Sequence, residues 1–332
     1  MKAVQLKDYG AVENLEVVEV EKPSVGPGQV LVKVEFGGLR WGDIMQRNGY
    51  PSRDMPTPFI AGQELAGTIE EVGEGVTGHA VGDPVIGLVL TGGFAEYAVV
   101  DAMRLIPVPR EVPLGTALAY PVNLRTAWFM VFPWAKVKEG ETVLIHAAAG
   151  GVGMMATQIL KRKFSDVTVI GLASTDEKCA AGLANGCDHM INYKKRDYVE
   201  AVLEIVGPRT HPFDFTTNGG GVDVIFNGVS GDTLGKDANL FRRHGRWVIY
   251  GWAGGQGQID TGPAGYLGVT VMPYSTLAWT FTDEDRQSQE FVRDWLLNEE
   301  LVEPVVYPLD EARQAQEDLE NGRTSGKVVL KV

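Results

Sequence analysis

The amino-acid sequence predicts an α/β chain in which a doubly wound parallel sheet accompanies a second, mostly β module. Three observations carry this. The 332 residues exceed what one hydrophobic core usually supports, so two domains are expected. The first hundred or so residues read as short strands punctuated by turns. From about Pro121, apolar strands alternate with helical stretches, the pattern of βαβ units.

In the β module, Leu15–Val20 alternates roughly and Val30–Phe36 alternates with period two, as a half-buried strand does. Gly26-Pro27-Gly28 and Gly82-Asp83-Pro84 supply turns, and Thr68–Val76 reads as a strand entering a glycine turn. Beyond Pro121 the strand Thr142–His146 is followed by a glycine cluster and a helix over Met154–Lys163. Next come a strand at Val167–Gly171, a helix over Asp176–Asn185, a short strand at His189–Asn192 and a helix around Tyr198–Val206. Val222–Phe226 and Arg246–Tyr250 are two further buried strands. After about Thr280 an acidic helix leads to a closing strand, Lys327–Leu330. The polar, aperiodic stretch Pro208–Gly220 precedes a strand and so belongs at the edge opposite the one where open α/β sheets bind ligands; a surface loop or subunit contact is expected.

Composition excludes several function classes. Lys and Arg number 30 against 43 Asp and Glu, a net charge of −13, which opposes nucleic acid or an anionic membrane as the main partner. Cys179 and Cys187 cannot form a disulfide framework and fit no structural zinc spacing, so free thiols in a reducing compartment are expected. The start of the chain lacks the apolar stretch of a signal peptide, and no run of about 18 apolar residues occurs. The expected location is the cytoplasm.

The strongest chemical signal is His146-Ala147-Ala148-Ala149-Gly150-Gly151-Val152-Gly153-Met154, between an apolar strand and a helix with Ala156, Ile159 and Leu160 at helical spacing. Small residues are needed for a tight turn, for close approach of backbone to a diphosphate, and for packing helix on strand. The helix start then offers unpaired N–H groups to the anion. This is the Rossmann-type dinucleotide signature, and its strand–turn–helix context makes it specific. A carboxylate about 20 residues further on usually holds the ribose 2′-hydroxyl of NAD. Here the next strand ends Gly171-Leu172-Ala173-Ser174-Thr175. Ser174 and Lys178 suit a 2′-phosphate, which favours NADPH. Asp176 and Glu177 pull the other way: they can serve as helix N-terminal residues, or one can face the ribose.

Taken together, these segments resemble the quinone oxidoreductase (zeta-crystallin-like) branch of the medium-chain dehydrogenase/reductase superfamily, over nearly the whole chain. The resemblance is carried by Gly38–Asp43, Val81–Val85, Gly92–Tyr97, Asn123–Trp128, the glycine turn, Ile191–Tyr193 and Gly326–Leu330. It implies a GroES-like β domain from residues 1–120 and 281–332, a Rossmann domain from residues 121–280, a cofactor cleft between them, and a homodimer or homotetramer. It also implies that Thr126 contacts the nicotinamide carboxamide. Ala147, Gly150, Gly151, Val152 and Gly153 would line the diphosphate, Ser174, Lys178 and Tyr193 would surround the 2′-phosphate and ribose, and Gly251 would lie near the nicotinamide.

Zinc members of the superfamily carry Cys near the position of Arg40 and Gly-His-Glu where this chain has Gly62-Gln63-Glu64. Arg and Gln are not zinc donors, so no catalytic metal is expected. Reduction of a quinone or conjugated C=C then becomes the natural chemistry, because the developing charge delocalises. Arg40 replaces the Asn common in the branch, Arg125 replaces Leu, and Met45 stands where some members have Tyr. Arg40, and with it Arg125, either stabilises an enolate-like oxygen or acidic substrate group, or forms a salt bridge, as with Asp43 or Glu64. His146 reads as structural. The expected activity is NADPH-dependent reduction of a carbonyl-conjugated small molecule. The alternatives are an enoyl-thioester reductase and a non-catalytic NADPH-binding protein.

Overall fold

The computed structural model describes residues 1–50, 55–209, 211, 219–279 and 282–332. Its contacts divide into two units, Met1–Val122 with Gln289–Val332, and Asn123–Ser288.

The chain begins with β1 (Lys2–Leu6), β2 (Leu15–Glu19), β3 (Gln29–Leu39), α1 (Trp41–Arg47), β4 (Phe59–Ile60), β5 (Glu64–Val72), β6 (Pro84–Leu88), β7 (Tyr97–Asp101), β8 (Leu105–Pro107) and α2 (Leu114–Ala117). Then α3 (Pro121–Phe129) and a π-helical turn, Met130–Trp134, lead to β9 (Thr142–Ile145). Alternating helices and strands follow: α4 (Gly151–Lys163), β10 (Thr168–Ala173), α5 (Asp176–Ala184), β11 (His189–Asn192), α6 (Tyr198–Val206), β12 (Val222–Asn227), α7 (Thr233–Asp237) and β13 (Phe241–Ile249). The chain ends with α8 (Thr261–Tyr266), β14 (Thr270–Pro273), α9 (Asp283–Asn298), β15 (Val305–Pro308), α10 (Ala312–Glu320) and β16 (Val328–Lys331).

In the first unit β1 is the middle strand of a small sheet, β2-β1-β4, and β3 organises a larger one, β15-β16-β3-β5-β6-β8, with β7 also paired to β3. The alternation read in the sequence is visible along β3, where Val32 and Val34 are buried and Lys33 and Glu35 are exposed. Strand β16, from the far end of the chain, pairs antiparallel with β3 from Val328↔Leu39 to Lys331↔Phe36. That pairing brings Lys327 beside the end of β3, next to Arg40.

Among the described residues the second unit holds six strands in the order β11-β10-β9-β12-β13-β14, every neighbouring pair parallel. All four residues of β9 are buried, as expected of a strand covered on both faces. Leu144, Ile170, Ile225 and Trp247 from four adjacent strands share one core with Tyr198, Ala201 and Val202 of α6. Strand order reverses between β9 and β12, the switch point at which open α/β sheets bind ligands beyond the carboxyl ends of their strands. The corners after β9, β10, β12 and β13 all lie on that edge. The stretch 208–220 precedes β12 and is closed by an Arg209↔Gly220 bridge, while residues 210 and 212–218 within it lie outside the described residues. Among the described residues no helix is long and apolar enough to cross a membrane.

Candidate active site

The first corner of the second unit is built by backbone. Past His146, Ala147 takes a left-handed conformation (φ 51°), and the Gly150 N–H donates to the Ala147 carbonyl at 2.8 Å. The Ala148 N–H donates to Leu172 O at 3.1 Å, anchoring the turn to β10. A Cβ on Gly153 would stand 2.5 Å from Ala147 O and 2.8 Å from Ala148 Cα, so only glycine closes the turn without a backbone shift. Gly150 precedes α4 in extended conformation, and it has no side chain with which to cap the helix. Among the described residues no N-cap side chain closes the start of this 13-residue helix, and its dipole favours an anion there. Ala147, Gly150, Gly151, Val152 and Gly153 meet at this corner.

The second corner lies at the end of β10. Parallel pairing of Ala173 with Asn192 brings Ser174 and Tyr193 to the same place, and the Tyr193 N–H donates to Ala173 O at 3.1 Å. Thr175 caps α5 by accepting the Lys178 N–H at 3.2 Å, which fixes where the Lys178 side chain starts. Lys178 is half-buried, has no ion-pair partner among the described residues, and that burial lowers its pKa. Asp176, the carboxylate that could compete for a ribose, is already engaged. It accepts from Asn192 Nδ2 at 2.7 Å and pairs with the Lys195 ammonium, and these bonds, the lysine's first, hold its carboxyl below the usual range. The corner thus presents a hydroxyl, an unpaired cation and an aromatic ring.

The third corner joins the loops after β12 and β13. Asn227 Oδ1 accepts the N–H groups of Val229 and Ser230 at 2.8 Å each, and Ser230 Oγ donates to Gly251 O at 2.7 Å. His146 is buried, with Nε2 3.0 Å from Asp237 Oδ1. Sequence reasoning misses Asn227 and Asp237, because the bonds that tie Asp237 to Asn227 and His146 span 10 and 91 residues. Thr126 is buried on α3. Its neighbour Arg125 is claimed by a buried ion pair with Asp285 and by Ser288 Oγ, which accepts from Nε at 3.0 Å. Arg125 is therefore a structural cation, the salt-bridge alternative of the two readings open to it.

The first unit carries a polar cluster around Arg40. The Asp43 carboxylate accepts the Arg40 backbone N–H at 2.9 Å, and the guanidinium donates to Gln63 Oε1. Arg40 Nε lies 3.5 Å from Glu64 Oε1, while Glu64 Oε2 is taken by the Lys327 ammonium at 2.7 Å. Glu64 and Lys327 are buried, whereas the Arg40 side chain keeps 29% of its surface exposed. Burial pushes the Asp43 carboxyl up to about 6 against the opposing pull of Arg40. The cluster sets two cations around the Glu64 carboxylate, and of these two the part-exposed one is the Arg40 guanidinium, which has N–H groups to spare. Among the described residues no three His, Cys, Asp or Glu side chains converge.

Comparison with known proteins accords with this geometry. Residues 26–110 match the alcohol dehydrogenase GroES-like domain, and residues 151–289 match the family described as zinc-binding dehydrogenase. The 2-haloacrylate reductase of a Burkholderia species is 32% identical over 99% of this chain and 98% of its own length. A synaptic vesicle membrane protein VAT-1 homolog of Danio rerio is 36% identical over 76% of this chain, and the match spans about half (49%) of that longer protein. The structure of Escherichia coli quinone oxidoreductase complexed with NADPH superposes with a TM-score of 0.88 at 26% identity, covering 100% of both chains. The chain belongs to the quinone oxidoreductase branch of the medium-chain dehydrogenase/reductase superfamily.

Proposed function

We propose that this chain is an NADPH-dependent reductase that transfers hydride, without zinc, to a small molecule whose C=C bond or quinone ring is conjugated with a carbonyl. The observation that carries the reading is the uncapped helix start at Gly150–Gly153, with an unpaired Lys178 at the next corner of the same sheet edge. The NADPH-complexed quinone oxidoreductase supports it. The residues fit the cofactor at both ends of its adenosine diphosphate. Backbone N–H groups of α4 take the diphosphate, with Ala147 and Val152 lining the turn. Ser174 and Lys178 hold the 2′-phosphate, with Tyr193 against the ribose. Gly251 and Thr126 serve the nicotinamide end.

NADPH, when bound, supplies the hydride. The protein's share is orientation and charge. Arg40 donates to the substrate oxygen on which negative charge grows, or to a carboxylate carried by the substrate, and is in that sense catalytic. The second option is supported by the relative named for 2-haloacrylate, a conjugated carboxylate. Gln63 holds the guanidinium, and Lys327 keeps Glu64 from neutralising it fully. The protein would work in the cytoplasm as a homodimer or homotetramer, which light scattering of the purified chain checks.

The test is NADPH oxidation measured against quinones, enones, 2-haloacrylate and enoyl thioesters, for wild type and Arg40→Ala. Turnover on at least one of them, falling about tenfold or more in kcat/KM without Arg40, is expected. Unchanged kcat/KM on the best substrate would remove Arg40 from the mechanism. Tight NADPH binding with no turnover on any member of the panel would make this a binding protein and not an enzyme.

A further inference from the structure

We propose that Asp237 is a positioning residue for the cofactor, a single buried carboxylate that ties the diphosphate corner to the nicotinamide-side loop. The inference rests on the reading that NADPH lies along this edge of the parallel sheet.

Asp237 closes the short helix α7 and is fully buried. Both carboxylate oxygens are in use. Oδ1 accepts from Tyr198 OH at 2.8 Å and lies 3.0 Å from His146 Nε2, and Oδ2 accepts from Asn227 Nδ2 at 2.7 Å. Two of these partners lead to the sheet edge. His146 is the residue immediately before the left-handed Ala147 that starts the diphosphate turn. Asn227 is the last residue of β12, and its other amide atom holds the N–H groups of Val229 and Ser230.

The loop so held has its own cost. Ser230 sits in the left-handed region, at φ 59°, where a non-glycine residue needs support. Its hydroxyl donates to Gly251 O at 2.7 Å, and the Gly254 N–H returns to Val229 O at 2.6 Å. A Cβ on Gly251 would stand 2.5 Å from Gly228 O, so the two loops are interlocked through backbone. Asp237 therefore fixes the corners after β9, β12 and β13 relative to one another. Packing alone does not call for this residue, because an apolar side chain fills a core without the desolvation that a buried carboxylate suffers. What the carboxylate adds is direction, through three hydrogen-bonded partners on separate elements.

The groups facing Asp237 are His146 and Tyr198. Burial, then the neighbouring carboxylate, pushes the Tyr198 phenol up, so it remains a donor. Lys236, on the same helix as Asp237, is half-exposed over the Tyr198 ring at 5.7 Å and pairs with Asp197 at 3.5 Å.

The test is Asn227→Asp, which sets two carboxylates where a 2.7 Å hydrogen bond stood. The pair must share a proton to keep its contact, so its pKa rises and the loop is held at low pH and released at high pH. NADPH affinity close to wild type at pH 6 and about tenfold or more weaker at pH 9 is expected, with kcat falling alongside. The swapped double variant Asn227→Asp/Asp237→Asn exchanges the two groups. The amide now at position 237 donates to the carboxylate now at position 227, while its carbonyl accepts from Tyr198 and His146. Recovery to within about threefold of wild type across the range is expected. Should Asn227→Asp fail to fold, Ser230→Ala cuts only the bond to Gly251, and a kcat reduced about three- to tenfold with little change in KM for NADPH is expected. Wild-type binding with all variants unmoved, or a double variant as impaired as the single one, overturns the proposal. A wild-type chain that does not bind NADPH overturns the functional reading beneath it.

Discussion

Replacing Asp43 by Asn tests the electrostatics around Arg40, and the structure sets both its sign and its size. Asp43 is 3% exposed, and its carboxyl is raised from an ordinary 3.8 to about 6, first by burial and then by Glu64, against the opposing pull of Arg40 and Lys327. A raised folded-state pKa means that the ionised form is the unfavourable one. Below the unfolded value both states hold the proton and the site costs nothing. As pH rises toward 6 the unfolded chain releases its proton first, and stability falls until the folded value is passed. Above that the full difference is present, about 3 kcal/mol.

The amide of the Asp43→Asn variant never ionises, and its carbonyl can still accept the Arg40 N–H. The other carboxylate oxygen, Oδ1, has no hydrogen-bond partner among the described residues, so the new amide nitrogen displaces no bond in use, and its own lack of an acceptor is a cost of about 1–3 kcal/mol that does not change with pH. Relative to wild type the variant should therefore gain about 1.5 kcal/mol in stability between pH 5 and pH 8, because only the wild-type carboxyl ionises in that window. Urea unfolding of the two proteins at those pH values, following the transition of the unit that contains Asp43, measures it. Because the variant also removes a negative charge beside Arg40, it should bind an anionic substrate more tightly at pH 8. A variant destabilised equally at both pH values would refute the reasoning, since it would mean that an ionised Asp43 is what holds Arg40 in place.

Three further outcomes are expected in the second unit. Gly153→Ala forces a Cβ into the Ala147–Ala148 backbone. The expected cost of about 1–3 kcal/mol outweighs the gain of about 1 kcal/mol in helix propensity, and NADPH affinity in a fluorescence titration should fall at least about tenfold. Lys178→Ala removes the unpaired cation at the end of β10. It should weaken NADPH about 10- to 100-fold while leaving NADH nearly unchanged, measured as the ratio of the two dissociation constants. Asp285→Ala strands the buried Arg125 guanidinium, and a loss of about 3–5 kcal/mol in unfolding free energy is expected, larger than for the paired change Arg125→Met/Asp285→Leu.

Much of the second unit is legible in the sequence because its signals are local. Strand β9, the glycine turn and α4 are contiguous, and their apolar and small residues report the geometry directly. The strand expected at Arg246–Tyr250 is too short, because β13 runs Phe241–Ile249. Its first residue pairs with Val222 across a register shift, and the polar run Arg242–His244 hides it. The π-helical turn at Met130–Trp134 carries Pro133 and an aromatic cluster in which Trp134 packs on Tyr274 and Trp279. Nothing in its periodicity distinguishes it from an ordinary helix end. The polar partners of the site are the least legible. Lys327 reaches Glu64 across 263 positions and Asp285 reaches Arg125 across 160, distances at which no motif operates and only the folded chain supplies the contact. The same applies to Asp176. Alone in the sequence it could face a ribose, and only the meeting with Asn192 and Lys195 shows it committed elsewhere.

The most direct measurement is the heat-unfolding midpoint of the purified protein as NADPH is added. A ligand that binds only the folded chain stabilises it by about 2.7 kcal/mol at a hundred times its dissociation constant, so the midpoint should climb steadily with concentration and climb further than with NADH. A midpoint unmoved by millimolar amounts of either nucleotide would contradict the assignment of the bare helix start at Gly150–Gly153 to a cofactor's diphosphate.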